Sequence, residues 1–237
     1  MPIFDTHAHY DADRFDSDRD ALLSAMPGVG VGLVLDPGCD LPSSRAAVAL
    51  AEKYSHVYAA VGVHPEDCAG FQDGDLAELR QLLRHPKAVA IGEIGLDYAG
   101  TVGREAQLRI FREQLDWAER LGKPVVLHCV KAFEAAMREL APHALRAVIF
   151  HGFIGSSQQA AEAIKKGYYL SFGERTFRSP RTVEALRRTP VENLFAETDE
   201  SDVPIEEIYR RIAQAKDLDP ELLKCAIYRN YREIFER

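Results

Sequence analysis

Eight short apolar runs, separated by stretches of helical pattern, constrain this chain more than any other feature of its sequence. They fall at 3–7, 31–36, 57–64, 89–93, 125–128, 148–151, 168–172 and 194–198. Each is brief and nearly apolar throughout, as expected of strands buried on both faces of a parallel sheet. Helical patterns are read at 42–54, 73–84, 104–121, 131–141, 156–166, 180–188, 204–216 and 219–235. In the clearest, 104–121, Leu108, Phe111, Leu115 and Ala118 recur at spacings of three and four. It stops at Gly122 with Pro124 just beyond. There is no internal repeat, low-complexity tract or linker in the 237 residues. The alternation therefore predicts an α/β fold, with 1–237 forming one (β/α)8 TIM barrel, whose usual size is roughly 250 residues. A doubly wound open sheet would alternate in the same way.

The placement of polar residues chooses between the two. The first run leads into His7-Ala8-His9, and residues i and i+2 share a face of a strand, so both imidazoles can reach one ion. Glu93 closes the fourth run, His128 the fifth and His151 the sixth, and Asp199 follows the eighth. Five strands thus deliver His, Glu or Asp at their C-terminal ends, where barrels build their active sites. The set His7, His9, Glu93, His128, His151 and Asp199 exceeds the needs of one four-coordinate ion. It suits two divalent ions roughly 4 Å apart that share a carboxylate. His64 ends the third run and is expected to touch substrate. Asp5 shares the parity of His7 and His9, and either orients an imidazole or makes a plain buried hydrogen bond. His56, His85 and His143 lie beside helix ends or prolines and read as surface residues. Cys129 neighbours His128 and so should face the opposite way, into packing.

Composition narrows the chemistry. Twenty-nine Lys and Arg against 37 Asp and Glu give a formal charge of −8, which argues against a broad basic surface for nucleic acid or an anionic membrane. No segment offers the ~18 apolar residues of a spanning helix, and the start has no signal-peptide pattern. Four scattered cysteines without a CxxC pair read as reduced thiols, so a cytoplasmic protein is expected. One stretch runs against the acidic balance: 165–188 carries seven Lys or Arg against two Glu. Within it Arg175 and Arg178 directly follow the seventh run, so these two are the candidates to meet a phosphate. Trp117 and the tyrosines form no pattern that suggests a platform for stacking bases.

The motifs FDTHAH at the start, GVHP at 62–65, GEIGLDY at 92–98, FHGFIGS at 150–156, FAETD at 195–199 and RNYREIF at 229–235 occur in that order. In this the chain resembles the TatD family of metal-dependent hydrolases, nearly end to end. The resemblance implies a divalent-metal-dependent phosphodiesterase or deoxyribonuclease, acting on DNA ends or small phosphodiesters. It implies two ions (Mg2+, Mn2+ or Zn2+) on His7, His9, Glu93, His128, His151 and Asp199. Glu93 would bridge them, and Asp199 would also handle the proton of the attacking water. DNA or a small phosphodiester would be a transient partner, with no membrane and no obligate protein partner. Three departures bear on substrate range, one of them a short segment between the seventh and eighth runs. After Asp199 the chain reads Glu200-Ser201-Asp202, where a small residue and Pro are usual. Val130 and Lys131 follow the strand-five histidine, where Arg is common two residues on. Two other readings stand beside this one: a carboxylate-bridged amidohydrolase cutting C–N or C–O bonds, and a metal-binding scaffold without turnover.

Overall fold

The computed structural model describes residues 1–236. Eight parallel strands follow chain order around a barrel. They are β1 (Ile3–Asp5), β2 (Val31–Pro37), β3 (Val57–Val61), β4 (Ala88–Asp97), β5 (Val125–Val130), β6 (Val148–Phe150), β7 (Tyr169–Phe172) and β8 (Leu194–Ala196). The helices between them are α1 (Arg19–Ala25), α2 (Leu41–Lys53), α3 (Asp73–Leu82), α4 (Arg104–Leu121), α5 (Phe133–Leu140), α6 (Ser157–Lys165) and α7 (Pro180–Arg188). Two more, α8 (Ile205–Lys216) and α9 (Pro220–Phe235), follow β8. This is the TIM barrel that the alternation predicts. One helix escaped the sequence pattern: α1 is only seven residues long and has no side-chain cap.

The seam between the first and last strands is drawn together by polar contacts. The Thr6 N–H donates to the Ala196 carbonyl at 3.1 Å, and the Asp199 N–H to the His7 carbonyl at 2.7 Å. Asp5, buried inside, accepts from the Thr198 N–H at 2.9 Å and from its hydroxyl at 2.7 Å. Of the two roles open to Asp5, the buried hydrogen bond is the one present. Outside, the Tyr209 hydroxyl of α8 accepts from the Phe4 N–H and donates to its carbonyl. Asn230 of α9 donates to the carbonyls of Val191 and Leu194.

Two features aim side chains at the mouth. The strands β1, β3, β6 and β8 end before the polar residues that their sequence runs include, so these residues sit on the first turn of each loop. By contrast, β4 runs four residues past Glu93. Its register against β5 slips by one residue between Ile91 and Ile94, a bulge that turns the strand locally. Gly95 permits this, because its φ is +148° and a Cβ there would strike the His128 carbonyl. His56 departs from the surface reading and is buried. Its carbonyl accepts from the Val34 N–H at 2.9 Å, which draws it into the sheet. His85 and His143 are partly exposed.

Candidate active site

Strands β4 and β5, with the loops after β1, β3, β6 and β8, bring His7, His9, His64, Glu93, His128, His151 and Asp199 to one place. Glu93 is its centre and is buried on all sides. Its Oε2 lies 3.1 Å from His7 Nε2 and 3.5 Å from His9 Nε2. Its Oε1 lies 2.7 Å from both His128 Nδ1 and His151 Nε2, and 3.4 Å from His64 Nε2. Each oxygen thus faces its own group of imidazoles. Asp199 Oδ1 stands 4.0 Å from His7 Nε2 and 3.9 Å from His9 Nε2. The His7 and His151 rings stack at 3.9 Å, tilted by only 6°.

These donors fit metal ions. The Nε2 atoms of His7 and His9 meet at 3.0 Å, and His128 Nδ1 meets His151 Nε2 at 3.2 Å. Lone pairs converging in this way from buried and half-buried rings are best satisfied by cations in their midst. Sets such as His7, Glu93, His151 and His7, His9, Asp199 keep their ligand atoms within 4.8 Å of one another. Electrostatics agree. Burial alone would raise the Glu93 pKa, but the imidazoles of His151 and His7 and the contacts from His128 hold it well below the usual carboxylate range. Asp199 is likewise lowered, because His7 and His151 outweigh its burial. Burial lowers the pKa of His7, and lowers that of His64 to about 4. These four shifts favour the form that carries a free lone pair or a negative charge, whereas His9 and His151 move the other way, raised despite their burial by Glu93 and, for His151, also by Glu197.

Three contributors lie outside the set read from the sequence. Asp97 Oδ2 is 3.1 Å from His128 Nε2, and its Oδ1 accepts from the N–H groups of Ala99 and Gly100. It fixes the ring so that Nδ1 faces Glu93. Glu197 is fully buried beneath His151, accepts from the Gly152 N–H, and lies 3.8 Å from His151 Nδ1. Cys39 Sγ, just past β2, is 4.0 Å from Glu93 Oε2. A signal for two of them was present, since Asp97 shares the parity of Glu93 and Glu197 that of Asp199. Nothing in the spacing marked Cys39.

Arg175 and Arg178 border a small cavity of about 180 Å³ beside Asp199. Both are engaged by acids. Arg175 lies 3.8 Å from Asp199 Oδ2 and 3.4 Å from Glu200 Oε2, and Arg178 is 2.7 Å from Glu174 Oε2. Cys129 packs, partly buried, against the core, and also borders the larger cavity next to His151.

The family model for TatD-related DNases matches residues 4–236. The chain belongs to this family. It is 35% identical over 202 residues to the uncharacterized metal-dependent hydrolase YabD of Bacillus subtilis, covering 83% of this chain and 79% of that one. It is 34% identical over 203 residues to the 3'-5' ssDNA/RNA exonuclease TatD of Cronobacter turicensis, covering 83% and 77%. Among solved structures, the TatD homolog YjjV from Escherichia coli superposes with a TM-score of 0.89 at 29% identity, covering 99% of this chain and 98% of that one. This member of the TatD family is accordingly a metal-dependent hydrolase acting on ester bonds, on a (β/α)8 barrel. No helix among its described residues is long and apolar enough to cross a membrane.

Proposed function

We propose that this chain is a nuclease that hydrolyses phosphodiesters at the ends of DNA or in small diesters. We further propose that it uses two divalent ions (Mg2+, Mn2+ or Zn2+) held by His7, His9, Glu93, His128, His151 and Asp199. The observation that carries the reading is the division of labour at Glu93, with one oxygen toward His7 and His9 and the other toward His128 and His151. Ions bound there would bring the pKa of a water toward roughly 7 and offset charge developing on a phosphoryl oxygen.

The protein's own part is positioning and proton transfer. Asp199 sits at the open side of the cluster, is unprotonated at neutral pH, and takes the proton of the attacking water. Arg175, at 3.8 Å, steadies it. His64 reaches Glu93 Oε1 at 3.4 Å from the rim, which suits it to meet substrate. A lysine carbamate bridge, the hallmark of some C–N and C–O hydrolases on this barrel, finds no support. Glu93 holds the place, and Lys123 is engaged at the other end of the barrel by the Ala88 carbonyl.

The test strips the protein with chelator, reloads each metal in turn and follows 3'- and 5'-labelled single-stranded DNA, with small phosphodiesters and lactones alongside. Metal-restored, stepwise loss of nucleotides from one end is expected. Asp199→Asn should lower kcat by about 10²–10⁴-fold with metal still bound. Turnover of lactones or amides but of no phosphodiester would overturn the reading.

A further inference from the structure

A cavity of about 570 Å³ opens beside His151, between the loops that follow β4, β5, β6 and β7. Its size is that of a pocket for a nucleotide-sized ligand. Three cations line it: Lys131 from the β5 loop, Arg138 from α5 and Arg181 from α7. Among the residues that line it, the only acid is Glu134.

The state of these cations is unlike that of four arginines nearby, after β7 and at the end of α7. Arg175, Arg178, Arg187 and Arg188 each face a carboxylate within ion-pair distance. Among the described residues, neither Lys131 nor Arg138 has a carboxylate within that distance, and Arg181 reaches only the Gln159 amide, at 3.3 Å. In a chain with eight more acids than bases, three cations left unneutralised in one concavity call for an anion from outside. The first turn of α5, which has no side-chain cap, opens onto the same space. Apolar surface is at hand as well. Tyr98, Phe133 and Phe153 border the cavity, and Ile154, 55% exposed, stands between it and the smaller cavity beside Asp199.

We propose that this cavity is a second phosphate subsite, which takes the phosphodiester adjoining the one being cut. The intervening nucleoside would rest on the aromatic and Ile154 surface. Guanidinium groups bind phosphate oxygens in pairs, and Lys131 adds a point charge. The proposal rests on the phosphodiesterase reading and adds to it a substrate class: diesters that carry a neighbouring phosphate.

The experiment compares kcat/KM of the metal-loaded enzyme on a thymidine dinucleotide, with one diester, and on the trinucleotide, with two. Bis(p-nitrophenyl) phosphate reports chemistry without a neighbouring phosphate. Wild type should favour the trinucleotide over the dinucleotide by about tenfold or more, mostly through KM, the scale of a charge-assisted contact. In Lys131→Met/Arg138→Met/Arg181→Met the ratio should fall close to one. The salt dependence of oligothymidylate binding should weaken, with a slope smaller by about 0.7 per lost phosphate contact. Arg84→Met/Arg120→Met/Arg146→Met, at the opposite end of the barrel, removes the same charge and should leave the ratio as in wild type. If dinucleotide and bis(p-nitrophenyl) phosphate are cleaved but the trinucleotide has no advantage, the subsite is overturned and the phosphodiesterase reading stands. The subsite is equally overturned if the control variant lowers the ratio as much as the triple variant. If no phosphodiester is cleaved under any metal, the functional reading itself fails.

Discussion

At the scale of single residues, the site depends on groups outside the candidate ligand set. Asp97 is the clearest. Its carboxylate holds one nitrogen of His128 while two backbone N–H groups hold the carboxylate. Groups of this kind set ring orientation and ligand basicity, and their loss typically costs about 10–100-fold in metal affinity. Asp97→Asn should therefore weaken Mn2+ or Zn2+ binding by that factor in calorimetric titration while the fold stays intact. Unchanged affinity would show that packing alone orients the ring. The sequence announced the six candidate ligands because each comes where an apolar run gives out, and a charge there needs a partner. Asp97 and Glu197 stayed hidden for a physical reason. Strand alternation could have flagged both, but the fourth run ends at Glu93, the bulge that carries β4 onward leaves no mark in hydrophobicity, and nothing in the eighth run marks the Gly152 N–H that Glu197 meets.

At the scale of elements, α4 does more than cover the sheet. Its buried Gln107 and Gln114 lie two turns apart on one face, and each imitates a neighbouring strand. Gln114 accepts from the Val63 N–H at 2.7 Å and donates to the Val63 carbonyl at 3.2 Å. Gln107 does the same for Asp97, at 2.8 and 2.7 Å. The ends of β3 and β4, where sheet pairing stops, are thus held in place just beside His64 and Asp97. Gln114→Leu would leave the N–H and C=O of Val63 buried without partners, at about 1–3 kcal/mol each. We expect urea denaturation to show a loss of about 2–5 kcal/mol. A loss below ~1 kcal/mol would mean that water replaces the amide. The helical period of α4 was plain in the sequence. The task of its two glutamines was not, because an inward-facing amide among apolar residues looks like an imperfect stripe until its backbone partner is known.

At the scale of the molecule, the candidate ligands come from β1, β4, β5, β6 and β8 or the turns that follow them. A metal held by residues from all five would bind the folded state and not the unfolded one. At a hundredfold excess over Kd, one site adds about 2.7 kcal/mol, a rise in Tm of roughly 5–10 °C for a chain of this size. Scanning calorimetry with and without chelator checks this, and a Tm indifferent to saturating metal would contradict a shared site. The net charge of −8 conveyed affinity better than chemistry. It spoke against a wide basic face, yet it could not show that Arg175 and Arg178 spend their charge on nearby acids while Lys131, Arg138 and Arg181 keep theirs. That distribution exists only in three dimensions. The seam has a consequence for biosynthesis. Asp5 meets Thr198 across 193 positions of chain, so the ring closes through contacts of the highest order, the slowest kind to form. A nascent chain that has not yet emitted β8 has neither the Thr198 groups that hold Asp5 nor Asp199. The closing strand and Asp199 therefore reach the barrel together, only when translation is nearly over.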